Sequence, residues 1–173
     1  MPTALVTGGA IRLGRSVALH LAGRGYNIAL QYCSSRESAE QTAKEARNFD
    51  VQCKTYCADF TDFNSAPLLM GQVLTDFNSM DLLVNSAANF IQKKIEETSN
   101  SELLDTININ LMAPFILMRE FKKKVNNGLI INILDERILR RVSTFGAYSV
   151  SKSALAHLTE LSAVSWGETI RVN

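Results

Sequence analysis

The chain has 173 residues, 46% hydrophobic and 20% charged, with a formal net charge of +1. That length fits one domain spanning residues 1–173, able to bury roughly 70% of its unfolded surface. Near-neutral charge gives no global field for nucleic acid or a membrane surface, and no apolar run reaches the roughly 18 residues of a membrane helix. Lys122–Lys124 and Arg140–Arg141 read as solvated faces or loops. The cysteines Cys33, Cys53 and Cys57 lack the spacing and histidine partners of a metal site, and fit reduced thiols in a cytoplasmic protein. Met1-Pro2 leads straight into a strand, so no signal peptide is expected.

Strands and helices alternate along the chain. A short apolar strand is predicted over Thr3–Thr7, then a glycine-bearing turn and an amphipathic helix over Leu13–Arg24 that Gly23 and Gly25 close. A second strand covers Asn27–Tyr32. A polar helix covers Arg36–Asn48, with a serine of the Ser34-Ser35 pair as its N-cap. A third strand is predicted over Val51–Tyr56 and a helix over Asp62–Asn78, with Pro67 near its start or at a kink. Leu82–Val84 is the fourth strand. A long helical region runs from about Asn100 to Lys124, with a kink expected at Pro114. Leu129–Leu134 forms the fifth strand, Ala147–Ser165 a helix, and Ile170–Val172 the sixth strand. Wholly apolar strands separated by helices imply an α/β fold, a doubly wound parallel sheet covered by helices on both faces. Ligands of such sheets bind at the carboxyl ends of the strands.

Two patterns carry chemistry. The first strand ends in Thr7-Gly8-Gly9-Ala10-Ile11-Arg12-Leu13-Gly14. Glycines let the backbone turn sharply and approach a phosphate, and the following helix N-terminus offers free N–H groups to a pyrophosphate. The alternative is a plain tight turn. After the second strand no carboxylate occurs until Glu37, so the Ser34 and Ser35 hydroxyls with Arg36 or Arg12 suit a 2′-phosphate, favouring NADP(H) over NAD; Ser34 could instead only cap the next helix. The second pattern is Tyr148 and Lys152, four apart and so on one helix face. An ammonium beside a phenol favours phenolate, which would lower the tyrosine pKa toward neutral.

Together these residues resemble the short-chain dehydrogenase/reductase family over the whole chain. Thr7, Gly8, Leu13 and Gly14 look like its cofactor turn, Asp59 with Phe60 its adenine-side contact, and Asn85-Ser86-Ala87-Ala88 its Asn-Asn-Ala-Gly segment. Asn110 looks like its structural and proton-relay asparagine, and Tyr148 with Lys152 its catalytic pair, which also contacts the cofactor. The resemblance implies a Rossmann-like fold and a nicotinamide-dependent oxidoreductase.

Departures point to a subgroup. Arg12 replaces the usual middle glycine, and Asp135, thirteen before Tyr148, replaces a serine. Both resemble pteridine reductases, including dihydromonapterin reductases, and Phe90 matches the aromatic that stacks on the pterin. The implied substrate residues are Arg12, Phe90, Asp135 and Tyr148, for NADPH-dependent reduction of a pterin with Tyr148 as acid. Rival readings are that Arg12 binds only phosphate, Asp135 only caps a helix or pairs with Arg137, and Phe90 is core. The same residues also accommodate reduction of another carbonyl substrate, or a catalytically silent nucleotide-binding module. Family members continue past the sixth strand with a Pro-Gly loop, a helix and a last strand, and assemble as homotetramers. The chain is therefore expected to be incomplete at its C-terminus, and poorly soluble or inactive in isolation. Ser86 and Ala88 also depart from the family segment, which should loosen that loop's hydrogen bonding.

Overall fold

A computed structural model describes residues 1–140 and 142–173; Arg141, part of the basic pair noted above, lies outside the described residues. Strands β1 (Thr3–Val6), β2 (Asn27–Tyr32) and β4 (Leu82–Asn85) are buried almost throughout, so neither sheet face can be left to water. With β3 (Cys53–Cys57), β5 (Gly128–Asn132) and β6 (Ile170–Val172) they form one six-stranded sheet in the order β3-β2-β1-β4-β5-β6. All five pairings are parallel.

Helices α1 (Arg12–Gly23) and α2 (Arg36–Arg47) pack small residues, among them Ala18, Ala22, Ala39 and Ala43, against Val6, Ile28 and Leu30 on one face. On the other, α3 (Ser65–Phe77) and α5 (Ala113–Lys124) place Leu69, Met70, Leu117 and Phe121 against Leu5, Leu83 and Ile130. The last long helix, α7 (Gly146–Trp166), packs on β5, β6 and α4 (Asn100–Ile107). Strand order reverses between β1 and β4, and a crevice opens there beyond the strand ends.

The expected fold is present, with local corrections. The region 100–124 is helical throughout, as expected, but its middle, Asn108–Met112, is a π-helical stretch that joins α4 to α5. Pro114 sits in the first turn of α5, directly after the widened π-helical turn, so the change in helix type falls where the proline ring removes an N–H from the helical ladder. Helix α3 starts at Ser65, with Pro67 likewise in its first turn. Ser35 occupies the N-cap position of α2, but its hydroxyl makes no capping bond. Strand β3 begins two residues later than expected, and β5 ends at Asn132. A short helix, α6 (Arg137–Arg140), stands where no element was foreseen.

Candidate active site

The turn after β1 is held from three sides. Gly8 has φ +62°, and a Cβ on it would lie 2.9 Å from Ala87 Cα; one on Gly14 would lie 2.1 Å from the Gly8 carbonyl oxygen. Only glycine fits either place. The Gln31 side chain accepts from Gly8 N–H at 2.8 Å and donates to Ala58 O at 2.7 Å, joining the loops after β1 and β3. Thr7 Oγ1 accepts from the N–H groups of Ser86 and Ala87 at 3.0 and 3.1 Å, which ties in the loop after β4. No side chain caps α1, so its first N–H groups remain available to an anion. Arg12, which stands where the resembled family usually has a glycine, takes a left-handed backbone with φ +49°.

A cleft of about 420 Å³ runs across these strand ends. Gly8, Arg12, Leu13 and Gly14 line it from the first turn, Ser34 and Ser35 from beyond β2, Asp59 and Phe60 from beyond β3, and Ser86 and Ala87 from beyond β4. Thr7 and Asn85, expected to touch a cofactor, are buried behind it. Asn85 Nδ2 donates to Asn132 Oδ1 at 2.8 Å, and Asn132 passes the chain on to Thr159 of α7 at 2.8 Å. Gln31, Asn132 and Thr159 were not foreseen from sequence. Each reads as an ordinary strand or helix residue until the loops and α7 are brought together.

Phe90 and Ile133 also line the cleft, whereas Asn110, Asp135, Tyr148 and Lys152 do not. The first two connect it to a cluster of ionisable groups. Tyr148 Oη donates to Asp135 Oδ2 at 2.9 Å. Arg137 Nη1 lies between both Asp135 oxygens, at 3.0 and 3.1 Å, and the Arg137 N–H donates to Asp135 Oδ1 at 2.9 Å. Asp135 therefore opens α6, pairs with Arg137 and receives Tyr148, all at once. Phe90 is half exposed and stands edge-to-face with Tyr148 at 4.8 Å and tilted against Phe145 at 4.9 Å, so it is not core.

Charge in the cluster differs from the sequence expectation. Burial, and then the hydrogen bond to Asp135, push the Tyr148 phenol well above its ordinary pKa. Lys152 does not bond the phenol: its Nζ donates to Ile133 O at 2.7 Å and lies 6.0 Å from the Tyr148 ring centroid. The downward pull on the phenol comes from the Arg137 guanidinium and not from Lys152, and burial and Asp135 outweigh it. Burial lowers Lys152 itself to about 8. Burial also opposes the charge on Asp135, but the bonds from Arg137 and Tyr148 more than offset it, and its carboxyl stays below the usual range. Asn110, fully buried in the π-helical stretch, accepts from Asn89 N–H at 2.7 Å and donates to Asn89 O and to Ser151 Oγ. Its amide clamps the residue before Phe90 to α7. Among the described residues no cluster of three or more metal-ligating side chains occurs, and no helix is long and apolar enough to cross a membrane.

A family model described as short chain dehydrogenase matches residues 2–173. The chain belongs to the short chain dehydrogenase family. Among curated relatives within it, a 3-oxoacyl-[acyl-carrier-protein] reductase of Staphylococcus aureus is 30% identical over 166 residues, covering 93% of this chain and 67% of the relative. The chain spans 61 to 68% of the length of the curated relatives it matches nearly end to end. A blue fluorescent protein from a metagenomic library, solved in complex with NADPH, superposes with TM-score 0.95 at 29% identity, over 99% of this chain and 72% of that one. An NAD+-bound xylitol dehydrogenase does so with TM-score 0.92 at 27% identity, over 99% and 68%. The parallel sheet with helices on both faces is the Rossmann-like fold of these neighbours over the part that the chain covers.

Proposed function

We propose that this chain carries the cofactor cleft and catalytic cluster of an NADPH-dependent oxidoreductase that reduces a pterin ring, converting a dihydropterin to a tetrahydropterin. The observation that carries the reading is the partner of Tyr148. It is a carboxylate beside an exposed aromatic ring, where a hydroxyl would suit a ketone.

The cleft fits a dinucleotide. Gly8 and Gly14 let the first turn close on itself and on Ala87 with no side chain between, and the uncapped α1 terminus faces the cleft. Ser34, Ser35 and Arg12 line it. That donor set suits a 2′-phosphate and supports NADPH, while the xylitol dehydrogenase neighbour holds NAD+. Bound NADPH would supply the hydride for a ring carbon. The chain's own groups manage the proton. Tyr148 keeps its proton at neutral pH because burial and Asp135 disfavour the phenolate, so it can serve as the acid for the ring nitrogen. Asp135, ionised, can only accept hydrogen bonds, and matches a substrate that presents N–H groups. Lys152, charged below about pH 8, offsets the negative charge left when the phenol gives up its proton. Asn110 acts here through Asn89, holding Phe90 in place; its amide is already engaged, so a relay through that side chain is not part of the proposal.

Leu103 and Leu104 of α4, Phe115 of α5 and Val150, Leu161 and Val164 of α7 are exposed, which supports self-association of the full-length protein as a homotetramer. Three free cysteines agree with a cytoplasmic setting. A second reading, reduction of the ketone of a 3-oxoacyl thioester, is favoured by the 3-oxoacyl reductase relative. Steady-state NADPH oxidation by the full-length protein, with a dihydropterin series beside a 3-oxoacyl thioester, separates the two. Turnover of the thioester but not of any dihydropterin would end the pterin proposal.

A further inference from the structure

Arg137 is the residue of the cluster that this reading leaves without a task. Its guanidinium is flat, with in-plane N–H groups. One of those nitrogens sits between the two oxygens of Asp135 at 3.0 and 3.1 Å. The guanidinium carbon lies 5.2 Å from the Phe90 ring centroid and 4.5 Å from that of Phe145. A planar donor is thus laid against an aromatic ring with an N–H group on a carboxylate, next to the Tyr148 hydroxyl. Those are the contacts a flat, N–H-bearing heterocycle would make in the same place.

Two features separate this arrangement from a structural ion pair. None of the four residues of α6, the element that carries Arg137, is buried, so the side chain is held by its ion pair and its ring contacts and not by burial of its own element. The Arg137 side chain also keeps 28% of its surface exposed, against 17% for Asp135, so a route outward is open. Asp135 and Phe90, by contrast, are fixed: Asp135 by Tyr148 and the Arg137 backbone, Phe90 through Asn89 and Asn110.

We infer that the Arg137 guanidinium is an internal occupant of the substrate's place on Asp135 and Phe90, and that it sets specificity by yielding only to a flat ring that brings its own N–H group to Asp135. The inference rests on the pterin reading and names the chemical feature by which the ring is selected. A ketone or thioester has no N–H group to replace the one withdrawn from Asp135. Such a ligand would leave the carboxylate with one donor fewer, and loses the competition.

The test is the dissociation constant of a dihydropterin, measured by calorimetry on the full-length protein saturated with NADP+, so that no turnover occurs. If Arg137 fills the place about nine-tenths of the time, its removal tightens binding about tenfold, because apparent affinity scales with the competent fraction. Arg137→Ala and the length-preserving Arg137→Gln should both tighten, and millimolar methylguanidinium should loosen Arg137→Ala back toward wild type. Equal or weaker binding by both variants overturns the inference and leaves the pterin reading untouched. Absence of dihydropterin binding to every variant removes the pterin reading and this inference with it.

Discussion

The phenol of Tyr148 donates to the carboxylate of Asp135 at 2.9 Å across thirteen positions of sequence. Burial, and then this bond, hold the phenol protonated; bonds from the Arg137 N–H, from Tyr148 and from the Arg137 guanidinium overcome burial and hold the carboxylate ionised. Tyr148→Phe removes the proton while leaving Asp135 paired with Arg137. Turnover is expected to fall by about 10²- to 10⁴-fold, the usual worth of a positioned acid. NADPH binding should stay near wild type, and stability should drop by only about 1 kcal/mol, one hydrogen bond. Retained turnover in a stopped-flow assay would refute the acid assignment.

Asp135→Ser tests the choice between ring and ketone. A serine hydroxyl can donate to a carbonyl oxygen, which the carboxylate cannot. Dihydropterin turnover should fall by at least about tenfold, the lower end for a group that orients the acid. Any carbonyl activity should hold or rise. Unchanged pterin kinetics would remove the main support for that substrate.

The parts of the site that one element builds were legible in the sequence; those built by the meeting of several were not. Tyr148 and Lys152 share a helix, so their common face follows from spacing alone. What each one touches does not: Lys152 reaches the Ile133 carbonyl, because a buried ammonium needs a bonded partner, and Tyr148 reaches Asp135. The glycine turn was readable, since Gly8 and Gly14 contact each other within one loop. Gln31 was not, because its side chain bridges two loops that approach only when β1, β2 and β3 align. The π-helical stretch at Asn108–Met112 was missed because one widened turn leaves the apolar pattern of a helix nearly intact. Arg137 looked like a simple partner for Asp135; its place against Phe145 arises within the same β5–α7 connection, and its place against Phe90 depends on the distant loop after β4.

Gly14→Ala should be severe. The added carbon would sit 2.1 Å from the Gly8 carbonyl oxygen, a backbone atom that cannot swing aside. Overpacking of this kind costs about 1–3 kcal/mol, and it would spread the turn that faces the cleft. Thermal melts should show the loss, and NADPH fluorescence titration should show binding abolished. Gly71→Ala is the control: its Cβ meets nothing within 4 Å, and it lies inside α3. That variant should gain about 0.5–1 kcal/mol and bind normally.

Arg12 combines a cation at the cleft with a left-handed backbone. Relieving that conformation with Arg12→Gly should raise stability by about 1 kcal/mol. The same change removes a donor for a 2′-phosphate. Loss of one charge-assisted hydrogen bond predicts about tenfold weaker NADPH binding, with NADH binding little altered. Equal weakening toward both cofactors would place Arg12 on the shared pyrophosphate.

Lys152 gives a pH signature that needs no ligand. Burial lowers its pKa from 10.5 to about 8 in the folded protein, whereas the unfolded chain keeps the ordinary value. Between those values the unfolded state binds a proton that the folded state does not, so this group makes stability rise with pH across the window. Below about pH 8 both states are charged, and the full cost of the buried ammonium is present. Lys152→Met has no such cost. Its advantage over wild type should be on the order of 3 kcal/mol below pH 8, from the shift at about 1.4 kcal/mol per unit, and should shrink toward pH 10. Tyr148 adds an opposing trend only above pH 10, its ordinary value, where the folded protein retains that proton longer. Urea midpoints of the two proteins between pH 7 and 10 measure the difference directly, and a constant gap across that range would mean that Lys152 does not titrate there.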